Sequence, residues 1–400
     1  MEARSSYCGL VSFFKGVITI IYFDNSATTK VDPAVLATYN QVSEDYWGNP
    51  SSLHNFGEKA DQLLIQSRRQ IASQLGVQPA EIFFTSGGTE GDNWVVKGTA
   101  LAKRQFGRHL ITTQVEHDAV KHSMQRLEEL GFEVTYLPVD EEGRIRPDDL
   151  RQAIRSDTIL VSVMAVNNEM GAVQPLAEVA EILRDYPKIH FHVDAVQGIG
   201  KGLHDLIFND RVDFATFSGH KFHAPRGVGF IYGRTGKKLM QFLDGGGQER
   251  GQRSGTENLP AIAAMAKAVR LLKQNEPQTV ATEHELRLNL RDYLQRFAKV
   301  HIFSGTGPHF APHILCFAIE GVKGETIVHA FEEDDIYLST TSACSSKKGL
   351  TSSTLSAMGV DPEIARGAVR ISLSDQNTMA EVEQFKRVFA KLYEQFKTLS

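Results

Sequence analysis

Lys221 follows the apolar run Phe214-Ala215-Thr216-Phe217 after two small residues, Ser218 and Gly219, with His220 beside it. Most lysines are solvated surface charges. At the end of a buried strand, however, desolvation lowers the pKa of the amine and prepares it to form a Schiff base with a carbonyl. A second nucleophile lies in Leu338-Ser339-Thr340-Thr341-Ser342-Ala343-Cys344-Ser345-Ser346-Lys347. Cys344 sits there among small polar residues, with Lys347 and Lys348 nearby, and electropositive, partly exposed surroundings favour a reactive thiolate. Cys316, inside Ile314-Leu315-Cys316-Phe317, reads instead as a buried small hydrophobe. His220 and His223 flank Lys221, but no third ligand follows at suitable spacing, so the pair does not point to a metal.

Two further strand ends carry polar residues, and in an open α/β sheet ligands collect at the carboxyl ends of strands. Asp194 follows Phe191-His192-Val193, with Gln197 three residues on. A carboxylate inside a covered sheet needs a cationic partner, which a protonated ring nitrogen would supply; capping the next helix is an equally good use of the same residue. Thr85-Ser86-Gly87-Gly88-Thr89-Glu90 follows the apolar Ile82-Phe83-Phe84 as a glycine turn opening a helix. Exposed amides there would favour an anion such as phosphate, although a strand-to-helix turn requires glycine and a cap in any case.

The elements that must position these residues alternate as short apolar runs and longer amphipathic segments from Pro33 onward. That βαβ pattern predicts a mainly parallel sheet covered by helices. Strands are expected over Ile82-Phe84, Leu110-Thr112, Val134-Tyr136, Thr158-Val163, Ile189-Val193, Val212-Phe217 and Val228-Tyr232. Helices are expected over Ala60-Leu75, Trp94-Gln105, His122-Leu130 and Leu176-Arg184. After Pro260 the texture changes: a helix to about Asn275, a break at Pro277, a second helix from Leu286 to Phe297, then strands, a Ser/Thr loop and a final helix. The domain boundary is placed there.

A chain of 400 residues exceeds one ordinary core, and at about 150 residues per unit it predicts two to three. Its 42% hydrophobic and 23% charged residues describe a globular protein. Lys and Arg number 43 against 48 Asp and Glu, a formal net charge of −5, so no excess of positive charge is available for direct nucleic-acid binding. Cys8, Cys316 and Cys344 are far apart and form no CxxC pair, which fits a reducing, cytoplasmic setting. The apolar stretch Gly9-Phe23 is interrupted by Lys15, lacks a cleavage site and is too short to span a bilayer, so neither a signal peptide nor a membrane helix is expected. Residues 16–23 read as a strand, and residues 1–15 as a loosely ordered extension.

Taken together, Thr89, Asp194 and Lys221 occur in an order that resembles the pyridoxal-phosphate enzymes of fold type I, and with Cys344 the chain resembles the cysteine desulfurases of the NifS/IscS family. The resemblance runs from about Ile21 nearly to the carboxy terminus. It rests on Tyr22-Phe23-Asp24-Asn25-Ser26-Ala27-Thr28-Thr29, Thr85-Ser86-Gly87-Gly88-Thr89-Glu90, Asn167-Asn168-Glu169-Met170-Gly171, His192-Val193-Asp194-Ala195-Val196-Gln197, Ser218-Gly219-His220-Lys221, Arg253-Ser254-Gly255-Thr256 and Ser342-Ala343-Cys344. It implies an α/β fold: a large domain over 30–275 with a mainly parallel seven-stranded sheet between helices, and a smaller α+β domain from 16–29 and 276–400 carrying the cysteine loop.

Residue by residue, the resemblance implies that Lys221 holds pyridoxal 5'-phosphate covalently and later moves protons. Asp194 would pair with the pyridine nitrogen, Gln197 with the ring hydroxyl, and His117 would stack on the ring and shuttle a proton. Gly88, Thr89, Ser218 and His220 would bind the phosphate. Thr256 would reach the phosphate of a partner subunit, which implies a homodimer, and Asn168 and Arg370 would hold the substrate carboxylate. The implied reaction converts L-cysteine to L-alanine and leaves a persulfide on Cys344 for a sulfur-acceptor protein, an iron-sulfur scaffold or a tRNA-thiolating enzyme. Gly91-Asp92-Asn93 departs from the commoner Ser-Asn-Asn, and Ala224 and Arg226 from Gly and Lys; none removes a catalytic group. A selenocysteine lyase or class V aminotransferase is the alternative within enzymes, although a simple aminotransferase needs no Cys344. A non-catalytic scaffold would need none of Lys221, Asp194, His117 and Cys344.

Overall fold

The computed structural model describes residues 20–341 and 352–397, so the expectations for residues 1–15, for Cys8 and for Cys344 with Lys347 and Lys348 lie outside the described residues. A short strand β1 (Ile21–Tyr22) leads to helices α1 (Pro33–Asp45) and α2 (Asn55–Leu75). Asp32 starts α1 by accepting from the Ala34 and Val35 amides ahead of Pro33. Gly76, at φ +66°, ends α2 in the left-handed region that a side chain disfavours.

Strands and helices then alternate: β2 (Ile82–Thr85), α3 (Gly88–Lys103), β3 (His109–Thr113), α4 (Asp118–Glu129), β4 (Glu133–Leu137) and α5 (Pro147–Ala153). The pattern continues through β5 (Thr158–Met164), α6 (Leu176–Arg184), β6 (His190–Asp194), α7 (His204–Ile207), β7 (Phe214–Ser218) and β8 (Gly229–Gly233). These strands form a seven-stranded sheet in the order β2-β8-β7-β6-β5-β3-β4. Strand β8 runs antiparallel to both β2 and β7, and the other pairs are parallel. Consequently β2, β6 and β7 point the same way, and Thr85, Asp194 and Ser218 finish at one edge of the sheet. Every residue of β5, β6 and β7 is buried, as helices on both faces require.

The chain then enters α8 (Leu259–Leu294), followed by β9 (Val300–Ile302), β10 (Ile314–Ile319), α9 (Gly324–Glu332), β11 (Ile336–Tyr337) and β12 (Ser339–Thr340). It ends with α10 (Ser353–Ala357), α11 (Pro362–Arg366), β13 (Ala368–Ser372) and α12 (Met379–Lys397). A four-stranded antiparallel sheet has the order β12-β13-β10-β9, while β1 pairs in parallel with β11. Its core is separate from that of the large sheet: Ile21 and Phe23 pack with Phe317, Phe331, Phe385 and Phe389. Helix α12 supplies much of it, burying Val382, Phe385, Val388, Phe389, Leu392, Tyr393 and Phe396 at the three- and four-residue spacing of one helix face.

Two expectations change. Helix α8 runs unbroken through Pro277 and ends at Leu294, rather than breaking there and resuming from Leu286 to Phe297. An internal proline removes one backbone donor and crowds the preceding turn, at a cost of about 3 kcal/mol. Tertiary contacts anchor the helix on both sides of it: Glu276 accepts from the Gly202 amide at 3.1 Å, and Lys201 pairs with the buried Glu283. Helix α3, expected from Trp94, begins at Gly88, so the glycine turn is itself its first turn.

Candidate active site

Lys221 closes a single 3₁₀ turn after β7, and its ammonium donates to the carbonyls of Ser26 at 2.5 Å and Ala27 at 3.0 Å. The segment after β1 therefore crosses from the smaller sheet to the lysine at the edge of the larger one. Asp194 is the last residue of β6, 4% exposed, and one carboxylate oxygen accepts from the Val196 amide at 3.0 Å. Burial pushes this carboxyl up, and the charges of His117 and Lys221 pull it back towards ionisation. That convergence places His117, Asp194 and Lys221 in one electrostatic neighbourhood. His117 starts α4, its ring accepting from the Ala119 amide at 3.1 Å.

Behind Asp194 lies a buried polar layer. His192 is hydrogen-bonded to Ser162 and Thr216 at 2.9 Å each, and burial pushes its pKa down to about 3, so its ring is neutral. Burial and the neighbouring carboxylates push Asp92 well up, and burial pushes Glu116 up to about 8. At about 8, Glu116 is protonated near neutrality.

Of the phosphate residues expected from the sequence, Ser218 meets Gly88 at the start of α3. A Cβ on Gly88 would lie 2.7 Å from Val196 Cγ2 and 3.4 Å from Ser218 Cβ, so a side chain there would have to displace Val196 in the turn after β6. Thr89 is exposed at the next position, and Ser218 is buried beside it. The His220 ring meets the Thr28 hydroxyl at 3.2 Å, and burial, followed by the charges of Lys221 and Arg226, holds it neutral with a pKa of about 4. The Arg253-Ser254-Gly255-Thr256 loop reaches the same helix by another residue: Arg253 grips Glu90 with bonds of 2.7 and 3.1 Å. Burial opposes ionisation of Glu90, yet the Arg253 guanidinium and the Ser86 amide hold it below the usual carboxylate range. Thr256 itself is exposed, and among the described residues no hydrogen bond joins it to the phosphate group of residues.

Arg370 lies in β13, 3% exposed. It donates to the Asn168 carbonyl at 2.7 Å and to Asp24 at 2.8 Å, while its buried Nε has no partner among the described residues. Asn168 and Arg370 are thus brought together, but through the backbone of Asn168 rather than its amide. Asn167 holds that turn: its side-chain oxygen accepts from the Glu169 and Met170 amides, and its nitrogen donates to Val115 and Thr354. Glu169, pushed up to about 7 by burial, accepts from Ser352. Cys316 is fully buried in β10 and its thiol is pushed well up by burial, as expected of a packing residue.

Some site residues were not assigned from the sequence. Ser26, Ala27 and Asp24 stood inside a quoted motif, but nothing local shows that their carbonyls or carboxylate meet Lys221 and Arg370, 195 and 346 positions away. His313, beside Gln197, carried no signal at all. The pocket under Lys221 also gathers Lys201, His223, Glu283 and Asp375.

These residues fit pyridoxal 5'-phosphate: a buried carboxylate for a ring nitrogen, a lysine within the same field, and a helix start shaped for an anion by Gly88. The chain matches the family described as aminotransferase class-V over residues 21–385. A protein of Lactobacillus delbrueckii subsp. bulgaricus named "NifS/IcsS protein homolog" is 55% identical over 95% of this chain and 99% of its own length. A "Cysteine desulfurase IscS" of Methanosarcina thermophila is 40% identical over 95% of this chain and 93% of its own. A solved "NIFS-LIKE PROTEIN" superposes with a TM-score of 0.87 at 38% identity, covering 94% of this chain and 99% of its own.

Proposed function

The chain belongs to the class V aminotransferase family and, within it, to the NifS/IscS cysteine desulfurases, and from that premise we propose how its own residues divide the work. It is a pyridoxal-phosphate-dependent enzyme that takes sulfur from L-cysteine. The cofactor, when bound, supplies an electron sink for the pair of electrons freed at the substrate Cα. Lys221 would carry it, Asp194 would hold its ring nitrogen, Gln197 its hydroxyl and His117 its face. Gly88, Thr89, Ser218 and His220 would hold its phosphate, with Thr256 of a second copy completing that site. The observation that carries this reading is the convergence of the His117 and Lys221 charges on the buried Asp194 at the carboxyl edge of the large sheet.

Arg370 and the Asn168 turn would orient the substrate carboxylate, since the unpartnered Nε leaves the guanidinium with donor capacity to spare. Lys221 Nζ would take the proton from the substrate Cα, and the His117 ring would move a proton at the substrate amine or thiol. Cys344 as thiolate would then attack the substrate sulfur. The S–S bond forms as the C–S bond breaks, Cβ takes the electron pair and a proton, Lys221 returns a proton to Cα, and L-alanine and a Cys344 persulfide result. The persulfide sulfur passes to an acceptor protein, an iron-sulfur scaffold or a tRNA-thiolating enzyme.

The two largest hydrophobic clusters, apart from Ala311 and Ile314 in the first, support a cofactor-binding unit over 30–275 and a smaller unit from 16–29 and 276–400. A homodimer is supported by the exposed Trp47 and Leu53, at 74% and 104% exposure, beside an open groove lined by Pro50, Ile65, Arg68 and Gln248. No described helix is long and apolar enough to cross a membrane; the reading adds a reducing cytoplasm, where Cys344 would stay a thiol.

Mass spectrometry of the Cys344 peptide after brief exposure to L-cysteine without reductant, with alanine assayed in the same tube, tests this. One extra sulfur on Cys344 with matching alanine is expected. Alanine or pyruvate with unmodified Cys344 would keep the cofactor but require a different lyase or transaminase chemistry.

A further inference from the structure

His313 immediately precedes β10 and is 2% exposed. Its backbone carbonyl accepts from the Leu373 amide at 2.8 Å, which fixes its position against the end of the strand that carries Arg370. The ring Nε2 lies 3.4 Å from Gln197 Oε1, and Nδ1 is buried without a partner among the described residues. Gln197 is also buried, and its Nε2 donates to the Ser26 carbonyl at 3.0 Å, the same carbonyl that receives the Lys221 ammonium.

The proton on this ring has one reasonable place. Burial, and then the charges of Lys201, Arg370 and Arg287, hold the imidazole neutral, so it has a single N–H. A proton on Nδ1 would bury an unsatisfied donor and turn a lone pair of Nε2 against the amide oxygen. A proton on Nε2 satisfies the Gln197 oxygen and leaves only an acceptor without a partner, the cheaper defect.

An amide whose oxygen is held on one side has its NH2 fixed on the other. One of those two N–H bonds goes to Ser26. The second remains for a ligand acceptor. We propose that His313 is a positioning residue for Gln197, holding its amide oxygen so that a donor, and not an acceptor, faces the hydroxyl oxygen on the cofactor ring. The proposal rests on the reading of Gln197 as the ring-hydroxyl contact.

Three variants of the full-length protein and one measurement on the wild type test it. His313→Leu removes the donor and allows the amide to turn. It is expected to weaken cofactor binding about tenfold, the size of one neutral hydrogen bond, and to move the visible absorption maximum of the loaded protein. His313→Gln restores an N–H at similar reach and should bring both back to within about twofold. A purely structural role would lower the melting temperature of the apoprotein without moving the absorption band, and the Gln variant would not repair the band selectively. Gln197→Ala is the control for the underlying reading. If it weakens binding and moves the band while His313→Leu does neither, the role of His313 is overturned and that of Gln197 stands; if Gln197→Ala changes nothing, both fall. Should His313→Leu fail to fold, histidine-selective 15N labelling of the wild-type apoprotein decides: the Nε2–H tautomer is required, and an Nδ1–H ring or an imidazolium overturns the proposal.

Discussion

Of the three cysteines, burial alone decides Cys316. Cys316 is enclosed in β10, with its thiolate disfavoured by desolvation. Cys316→Ala is therefore expected to leave the rate of alanine release within about twofold while costing about 1 kcal/mol of stability for the lost packing. Cys344→Ala should keep the cofactor's visible band and abolish persulfide formation; sulfide release at the wild-type rate would refute the nucleophile assignment. Arg370 offers a second test. Its fork reaches Asn168 and Asp24 at once, and a lysine ammonium cannot reproduce that geometry. Arg370→Lys should raise KM for L-cysteine by roughly tenfold to a hundredfold, the worth of one charge-assisted hydrogen bond, with the cofactor band unchanged. Lys221 and Asp194 drew attention because each ends or follows an apolar strand, whereas the phosphate role of His220 came only from the resemblance. His313 was not, because a lone histidine before a strand looks the same whether it packs or positions.

Elements were predicted best where one periodicity ruled and worst where tertiary contacts overrode it. Leu176 to Arg184 forms the helix expected from its apolar spacing. Pro277 did not break α8, because contacts from the loop before α7 and from Lys201 hold the turns on either side. Replacing it gives back a backbone donor, so Pro277→Ala should raise stability by about 1–3 kcal/mol in denaturant titration. No change would mean that the helix has already relaxed around the proline. At the start of α3, the Arg253 and Glu90 pair ties the loop carrying Thr256 to the proposed phosphate site. Breaking it should weaken cofactor binding, and inorganic phosphate competition should weaken in step.

Across the whole molecule, the buried titratable groups set the pH range of the fold. Glu116 is raised from 4.5 to about 8 by burial, so the native state binds more protons than the unfolded chain between those values, and stability falls as pH rises through that range. His190 and His192 are lowered from 6.5 to about 3, again by burial, so the unfolded chain binds more protons there and stability falls as pH drops. Between 4.5 and 6.5 the two effects oppose each other; above 6.5 the glutamate acts without these histidines, and below 4.5 they act without it. Glu116→Gln should therefore lessen the loss of denaturant midpoint from pH 6.5 to 8, steepen the gain from 4.5 to 6.5, and leave the limb below 4.5 as it was. The alternation of apolar runs already specified an α/β sheet with its lysine, carboxylate and glycine turn at strand ends, because element period and burial follow from local composition. Seven short motifs in order specified the family. What only the tertiary structure decided are the contacts between distant segments: the Ser26 and Ala27 carbonyls on Lys221, Asp24 on Arg370, and His313 on Gln197. Such contacts leave no local pattern, since the residues that meet are 116 to 346 positions apart in the chain.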